Sequence, residues 1–281
     1  MTALLTTPGD VWAVDLTGAG EGICRTILGY RNIIPEGIDS GAAENENYPF
    51  SNVYDHSYNT EYAPVTSTTN TITISLSQAQ KINYIALNSK NGADSGLSLT
   101  LEGLMVTSGV YEPICEIESF ENGVPAMVYF GEDFPSRLAN VLGIRIVLTY
   151  TSTPYIMTMF CGQAIVFPRT LSLGAQPGHL SNVDEVEIFN ADEGLNILPS
   201  RRLARGYQLK GTINYVKMTM LETFWKEYSN HVKDVKTVFF MWNDKKPKEV
   251  IYGVQIPDRL TKPAYKTSLF SQVDFDIIGW A

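Results

Sequence analysis

The stretch "NYPFSNVYDHSYNTEYAP", Asn47 to Pro64, is rich in Asn, Tyr and Pro and holds one of the three histidines of the chain. Asn, Asp, Ser and Pro are typical of turns, because their side chains bond to the local backbone or restrict it. The stretch is therefore an ordered corner of a β-sandwich, a binding loop or a metal site. The candidate ligand-binding residues are Asp55, His56, Tyr58, Asn59 and Tyr62.

The segments around this loop predict short antiparallel strands. Runs such as "VWAVDL", "INYIALN" and "IRIVLTYT" are rich in β-branched and aromatic residues and are separated by Gly, Asn, Ser and Pro. In "TITISLS" and "LSLTLEG" apolar and polar residues alternate strictly, which predicts one buried and one solvated face. Residues 1–168 are therefore predicted to form a mainly β domain, an antiparallel β-sandwich or jelly roll.

A second, smaller domain is predicted after a connecting segment. The run "FPRTLSLGAQPGHL" carries two Pro and two Gly, so residues 169–205 are predicted to be a linker or strap. In "TMLETFWKEYSNHVKD" apolar residues recur every three or four positions, which predicts a helix, and Thr219 and Glu222 have the spacing of a capping box. Residues 206–281 are predicted to form an α+β domain with this helix on an antiparallel sheet. The predicted buried helix face comprises Leu221, Phe224, Trp225, Tyr228 and Val232.

The net charge of −9 is unevenly distributed. Residues 1–168 carry 17 acidic and 6 basic residues, a net of −11, whereas residues 169–281 carry 13 acidic and 15 basic residues, a net of +2. Opposite charge in two parts of one chain favours ordered assembly with further copies. A nucleic-acid contact is the competing interpretation, and the dispersed lysines argue against it. The candidate interface residues, a cluster of arginines, are Arg201, Arg202 and Arg205.

Motifs for catalysis are lacking in the sequence. The fragment "TGAGEG" lacks the third glycine of a dinucleotide-binding loop, and no nucleophile elbow or paired-histidine zinc helix is present. Three scattered cysteines predict neither a disulfide framework nor a metal site, and Cys161 is expected to be a small buried apolar residue. Glu116 with Glu118, or Glu132 with Asp133, are the adjacent carboxylates that a glycosidase would need. We expect no enzyme activity, no cofactor and no metal.

The opening loop and the strands after it, "YPFSNVYDHSYNTEYAP" and "NTITISLSQAQKINYIALNSKNGADS", resemble the galactose-binding-like, or discoidin (F5/8 type C), β-sandwich superfamily. The resemblance covers roughly residues 40–168. Tyr62 stands where that family usually has Trp, and His56 where it usually has Gly. The resemblance implies a galactose-binding-like sandwich whose end loops bind sugars or lipids in some relatives. The positions that match the family pattern are Asn52, Asp55, Asn59, Thr60, Tyr62, Leu76, Lys81, Ile82 and Ile85.

The layout of the whole chain is similar to the distal tail and tail-tip proteins of long-tailed bacteriophages. It consists of the sandwich, "PRTLSLG" after its last strand, an arginine-containing segment and an α+β unit that ends in "VDFDIIGW". The resemblance implies a belt-like domain that forms a homo-oligomeric ring, with the tail tube, tail hub and fibres as partners. It also implies location in the virion after assembly in the host cytoplasm, no membrane insertion and no nucleic-acid contact beyond the tail channel.

Three functions remain open from the sequence. The first is a structural virion protein of a phage tail tip, which agrees with the two-domain layout and the charge distribution. The second is a carbohydrate-binding module for host surface glycans, in which tyrosines such as Tyr48, Tyr54, Tyr58 and Tyr62 stack on sugar rings. The third is a polysaccharide-degrading enzyme that uses Glu116 and Glu118.

Overall fold

The structure is a computed structural model that describes residues 25–40, 45–57, 59–65, 68–130, 141–167, 169–171, 182–187, 201–244, 249–257, 264–265 and 270–280. The chain divides into two compact units. Unit 1 comprises Met1–Thr170 with Lys236–Tyr252, and unit 2 comprises Leu171–Val235 with Gly253–Ala281.

The predicted fold class is confirmed, because the described residues form mainly antiparallel β-structure with one long helix. Helix α1 covers Met218–Lys233, and two short 3-10 turns cover Ile34–Glu36 and Phe50–Tyr54. In chain order the strands are β1 Thr26–Gly29, β2 Ile38–Ser40, β3 Thr69–Gln80, β4 Tyr84–Ser89, β5 Ser98–Met105, β6 Tyr111–Ile117, β7 Ala126–Tyr129, β8 Val141–Thr149, β9 Ile156–Gly162, β10 Ile165–Phe167, β11 Asn182–Glu187, β12 Arg201–Lys217, β13 Thr237–Met241, β14 Val250–Gln255, β15 Ala264–Tyr265 and β16 Phe270–Trp280.

Unit 1 contains the predicted sandwich. A five-stranded sheet has the order β2-β3-β8-β5-β6, and a three-stranded sheet has the order β7-β4-β9. The strict alternation of "TITISLS" and "LSLTLEG" appears as alternating burial along β3 and β5. Because alternate side chains of a strand point to opposite faces, this pattern gives each strand one core face. The core between the sheets includes Ile72, Ile74, Leu99, Leu101, Ile146, Ile85, Leu87 and Met159.

The two cysteines that the structure describes lie in this core. Cys115 on β6 and Cys161 on β9 are both free and buried. Burial raises the pKa of both thiols, so each stays protonated and apolar in character at neutral pH. The prediction that Cys161 is a small buried residue is confirmed.

Both faces of β4 and β9 are buried, since every residue of these two strands is buried, whereas β7 at the edge of the sheet is partly exposed. One face meets the five-stranded sheet, and the other is covered by a segment from far along the chain. The Phe160 ring lies 5.3 Å from the Phe239 ring and 6.4 Å from the Tyr252 ring. Strand β13, which holds Phe239, also pairs with β1. Residues 236–252 therefore pack within unit 1, whereas the sequence pattern predicts one α+β domain over residues 206–281.

Unit 2 combines the helix with an antiparallel sheet in which β16 lies between β14 and β12, and β11 pairs with β12. Helix α1 buries Leu221, Phe224, Tyr228 and Val232, as its sequence period predicts, whereas Trp225 is half-buried. Helix α1 packs against β12, whose buried side chains include Leu209 and Ile213.

One local prediction differs from the structure. Residue Lys217 precedes the first turn of α1, and no side chain caps that turn, so the predicted capping box of Thr219 and Glu222 is wrong. Thr219 already lies inside the helix, where its carbonyl accepts a hydrogen bond from the Thr223 hydroxyl. The predicted strap, residues 169–205, includes β11 and the first residues of β12, and these two strands pair antiparallel. Among the described residues, no helix has the length and apolar character needed to cross a membrane.

Candidate functional site

The opening loop is fastened to the sandwich through Tyr62. The ring of Tyr62 is fully buried, and its hydroxyl accepts a hydrogen bond from Asn70 Nδ2 on β3. Its backbone exchanges two hydrogen bonds with Ile156, with N···O distances of 2.8 Å and 2.9 Å. The Phe50 ring packs edge-to-face against it at 5.3 Å. In this conformation the Tyr62 side chain belongs to the core and is not presented to solvent.

Asp55 organises the exposed tip of the loop. Its Oδ1 accepts from the backbone N–H of Ser57 at 2.8 Å, and its Oδ2 accepts from the hydroxyl of Thr60 at 2.7 Å. Asn52 Nδ2 donates to the backbone oxygen of Glu61 at 2.8 Å. These are the local side-chain bonds that the turn composition predicts. Both oxygens of Asp55 therefore have partners within its own loop.

His56 connects the loop to β13. It adopts a left-handed backbone with φ of 62°, and its Nδ1 lies 2.8 Å from the Thr237 hydroxyl. Its ring also packs edge-to-face on Phe160 at 5.5 Å. A non-glycine residue with positive φ needs support from its surroundings, and these two contacts provide it.

The other predicted site residues belong to two regions of the chain, the opening loop and β12. Asn59 is exposed, and Tyr58 lies outside the described residues. The arginine cluster is on β12, where the strand register places Arg201 opposite Glu187 and Arg205 opposite Asp184 of β11, with Arg202 opposite Val186. The roles predicted for all these residues stay predictions.

The structure describes one of the two carboxylate pairs that the sequence offers for catalysis. Glu116 is half-buried on β6, and Glu118 is exposed beyond the end of that strand. Glu132 and Asp133 lie outside the described residues. Within the ranges that the structure describes, no three His, Cys, Asp or Glu side chains are grouped to hold a metal ion.

A different group of four residues, Tyr48, Glu61, Lys90 and Tyr155, forms a compact surface that we call the tyrosine patch. The rings of Tyr48 and Tyr155 are half-buried and meet edge-to-face, with centroids 5.7 Å apart and planes at 71°. Beside them Lys90 Nζ donates to Glu61 Oε1 at 2.7 Å. The Lys90 side chain is 64% exposed and that of Glu61 16%.

Strand pairing explains why these residues meet. Strand β4 ends at Ser89 and its antiparallel partner β9 begins at Ile156, and these two residues are paired. Lys90 and Tyr155 therefore follow the same end of the three-stranded sheet. Glu61 precedes Tyr62, which is bound to Ile156, and the backbone of Tyr48 accepts a hydrogen bond from Ala63.

The opposite charges of Lys90 and Glu61 stabilise each other within the patch. The pKa of the Lys90 ammonium is raised, chiefly because it donates a hydrogen bond to Glu61 and is attracted by its carboxylate. The two tyrosines raise this pKa further through weaker electrostatic interactions. Lys90 therefore stays protonated at neutral pH, and the patch combines aromatic rings with a positive and a negative group.

The sequence indicates one part of this patch. Tyr48 is among the tyrosines predicted to stack on sugars, whereas no pattern in the sequence marks Glu61, Lys90 or Tyr155. Each of these is an ordinary polar or aromatic residue, and no local spacing connects them. The pairing of β4 with β9 brings Lys90 and Tyr155 together, and the backbone bonds of Tyr62 with Ile156 and of Ala63 with Tyr48 add the other two residues.

A second polar and aromatic cluster lies on β5, β6 and β8. Arg145 Nη1 donates to Glu102 Oε2 at 3.0 Å, and its guanidinium carbon lies 3.9 Å from the centre of the Tyr111 ring. This stacking covers one face of the aromatic ring. The cluster pairs its own charges, and it contains one aromatic ring, whose face is occupied by the guanidinium, where the tyrosine patch contains two rings.

No protein-family model matches the chain, and no curated protein sequence matches it. The chain is similar to chitosan-binding module 1, derived from a chitosanase/glucanase of Paenibacillus sp. IK-5, with 13% identity over 47% of this chain and 99% of the module, and a TM-score of 0.38. It is also similar to CBM32-1 from a family 31 glycoside hydrolase of Clostridium perfringens, with 15% identity over 48% and 99% of the two chains and a TM-score of 0.39.

A third similar structure is the family 32 CBM from C. perfringens NanJ in complex with galactose. Its identity is 16%, over 50% of this chain and 99% of the module, with a TM-score of 0.38. TM-scores this low carry no inference about ligand, activity or partners. The resemblance of the whole chain to distal tail proteins stays a prediction.

Proposed function

We propose that the protein binds carbohydrate through the tyrosine patch of unit 1. The observation that carries this proposal is the edge-to-face pair of Tyr48 and Tyr155 beside the Lys90–Glu61 ion pair. Sugar sites combine aromatic surface with a few fixed polar groups, because a pyranose has an apolar C–H face and a rim of hydroxyls. The patch contains both elements within one surface.

Each part of the patch has a defined role in this proposal. One tyrosine ring packs against the apolar face of the sugar, and the second ring, nearly perpendicular, borders its edge. Lys90 donates to a sugar hydroxyl and Glu61 accepts from a neighbouring one, as charge-assisted hydrogen bonds. The ammonium and carboxylate sum to zero charge, so we expect a neutral sugar to bind better than a charged one.

The tyrosine patch fits this role better than the loop residues that the sequence predicts as ligand-binding. Both Asp55 oxygens are bound within the loop, His56 is held by Thr237 and Phe160, and Tyr62 is buried. Tyr62 would have to leave the core to reach a ligand, and Asp55 and His56 already make contacts within unit 1. No catalytic step forms part of the proposal, and binding alone is the function.

The test is a glycan array followed by calorimetric titration of the wild-type chain. Galactose and a short chitosan oligosaccharide are the first soluble probes, the one neutral and the other cationic. Tyr155→Ala removes one ring of the patch and is expected to weaken binding about 10-fold, which corresponds to ~1.4 kcal/mol. Tyr111→Ala is the matched control, because Tyr111 is an equally half-buried tyrosine away from the patch.

The outcomes separate the alternatives. Binding by the wild type that Tyr155→Ala weakens and Tyr111→Ala leaves unchanged supports the patch. If Asp55→Ala abolishes sugar binding while Tyr155→Ala has no effect, the loop residues predicted from the sequence bind the sugar instead. A wild-type chain that binds no glycan at all removes the proposed function.

A second candidate function is the ring-forming structural role in a phage tail that the sequence suggested, with tail proteins as partners. One observation favours assembly. Strand β12 pairs with β16 from Gly206 to Lys217, whereas Arg201–Arg205 pair only with β11 among the described residues. Such a strand edge is a template for pairing with another chain. Mass photometry of the full chain at micromolar concentration tests this candidate, and a strictly monomeric protein would eliminate it.

A further inference from the structure

The two loops that carry Lys90 and Tyr155 are joined by one asparagine side chain. Asn91 Oδ1 accepts a hydrogen bond from the backbone N–H of Tyr155 at 2.7 Å. Asn91 Nδ2 donates to the backbone oxygen of Thr153 at 3.0 Å. One amide group therefore holds the segment Thr153–Tyr155 at both ends, directly before β9 begins.

Neighbouring backbone contacts complete the connection. The oxygen of Tyr155 accepts from the N–H of Lys90 at 2.9 Å and from the Ser89 hydroxyl at 3.0 Å. Both backbone polar groups of Tyr155 are thus bound by consecutive residues of the other loop. With its N–H and carbonyl fixed, the direction of the Tyr155 side chain is restricted to its rotamers on a fixed backbone.

The Asn91 side chain is not needed for its own turn. That turn is closed by the N–H of Ser95, which donates to the Asn91 backbone oxygen at 2.9 Å, and by the Ser95 hydroxyl, which donates to Gly92 O at 3.1 Å. Asn122 Oδ1 additionally accepts from the N–H groups of Ala93 and Asp94, at 2.9 Å and 3.3 Å. The Asn91 amide instead bonds entirely to the loop that presents Tyr155.

We propose that Asn91 is a positioning residue for carbohydrate binding, which holds Tyr155 in the orientation that completes the tyrosine patch. This inference rests on the proposed function. Without the Asn91 amide, Thr153 and Tyr155 lose a hydrogen-bonded anchor, and the patch is assembled for a smaller fraction of the time. The apparent dissociation constant rises in inverse proportion to that fraction.

The experiment compares the wild-type chain with Asn91→Ala, Asn91→Asp and Asn122→Ala. Asn91→Ala removes both inter-loop hydrogen bonds and is expected to weaken binding of galactose or the chitosan oligosaccharide about 5- to 10-fold. Asn91→Asp keeps an oxygen acceptor for the Tyr155 N–H and is expected to recover the affinity to within about threefold of the wild type. Asn122→Ala is the matched control, since it removes two hydrogen bonds from the same turn without touching Thr153–Tyr155.

Amide hydrogen exchange at Tyr155 provides a readout that does not depend on the sugar. We expect faster exchange at this amide in Asn91→Ala and an unchanged rate in Asn122→Ala, with similar thermal unfolding of both variants. The inference is overturned if Asn91→Ala binds as the wild type does, or if Asn122→Ala weakens binding equally. If the wild type binds no glycan, the proposed function and this inference both fail. If the wild type binds and only the comparison of the Asn91 and Asn122 variants fails, the inference alone is overturned.

Discussion

Replacing Tyr62 by Phe tests whether the opening loop is a structural corner or a site. The substitution removes one oxygen atom and keeps the ring, which is fully buried and packs on Phe50. The oxygen accepts a hydrogen bond from Asn70, whose side chain is 3% exposed. Tyr62→Phe therefore leaves a buried amide donor without this acceptor.

The size of the effect follows from that donor. A buried polar group left unpaired costs about 1–3 kcal/mol of unfolding free energy. For a unit of roughly this size, each kcal/mol lowers the melting temperature by about 2–4 °C, so we expect a decrease of about 2–12 °C. Removing both partners, in Tyr62→Phe with Asn70→Leu, is expected to restore most of the loss, because no unpaired donor remains.

Urea unfolding followed by circular dichroism gives the free energies, and calorimetric titration with galactose gives the affinity. Tyr62→Phe is expected to bind the sugar within about twofold of the wild type, since its hydroxyl faces the core. The reverse pattern, loss of sugar binding with unchanged stability, would show that Tyr62 contacts the ligand. That result would refute the structural role argued for this residue.

Two further predictions concern the core and the ion pair. Phe160→Ala is expected to lower the free energy of unfolding by about 3–5 kcal/mol, because the ring is buried among Phe239, Tyr252 and His56. Urea unfolding measures this loss. A loss below ~1 kcal/mol would contradict the packing of residues 236–252 in unit 1. The pKa of Lys90 is raised above its ordinary 10.5 by Glu61. For a cation with a raised pKa, the favourable interaction is complete below the unfolded-state pKa and is lost as the pH rises through the folded-state value. Lys90 therefore stays charged from neutral pH to about pH 9, and sugar affinity should stay constant over this range while Lys90→Met binds more weakly throughout it. Calorimetric titration at several pH values measures both, and a Lys90→Met variant that binds as tightly as the wild type would contradict the role of the ammonium.

The local spacing of apolar residues predicted much of the fold. The alternation in "TITISLS" and "LSLTLEG" predicted the buried faces of β3 and β5, and the three- and four-residue spacing predicted four buried positions of α1. These signals work because a strand or a helix repeats its geometry at a fixed period. The capping box failed because the helix begins one residue before Thr219, a boundary that the period does not determine.

The sequence predicted less of the candidate site than of the fold. The loop composition correctly indicated side chains that bond to their own turn, as Asp55 does with Ser57 and Thr60. It did not show that Tyr62 points inwards or that His56 contacts Thr237, because both contacts depend on strands elsewhere in the chain. The composition of a loop indicates which local hydrogen bonds it forms. It does not indicate which residues distant in sequence pack against the loop.

The sequence by itself determined the mainly β class, the helix and the character of the Asn47–Pro64 loop, since each of these depends on residues a few positions apart. The tertiary structure alone decided two other features. It placed residues 236–252 in unit 1 through pairing of β13 with β1, and it joined Tyr48, Glu61, Lys90 and Tyr155 into one patch. The physical reason is that antiparallel pairing of β4 with β9 fixes which loops share an end of the sheet, and long-range pairing leaves no periodic trace in the sequence.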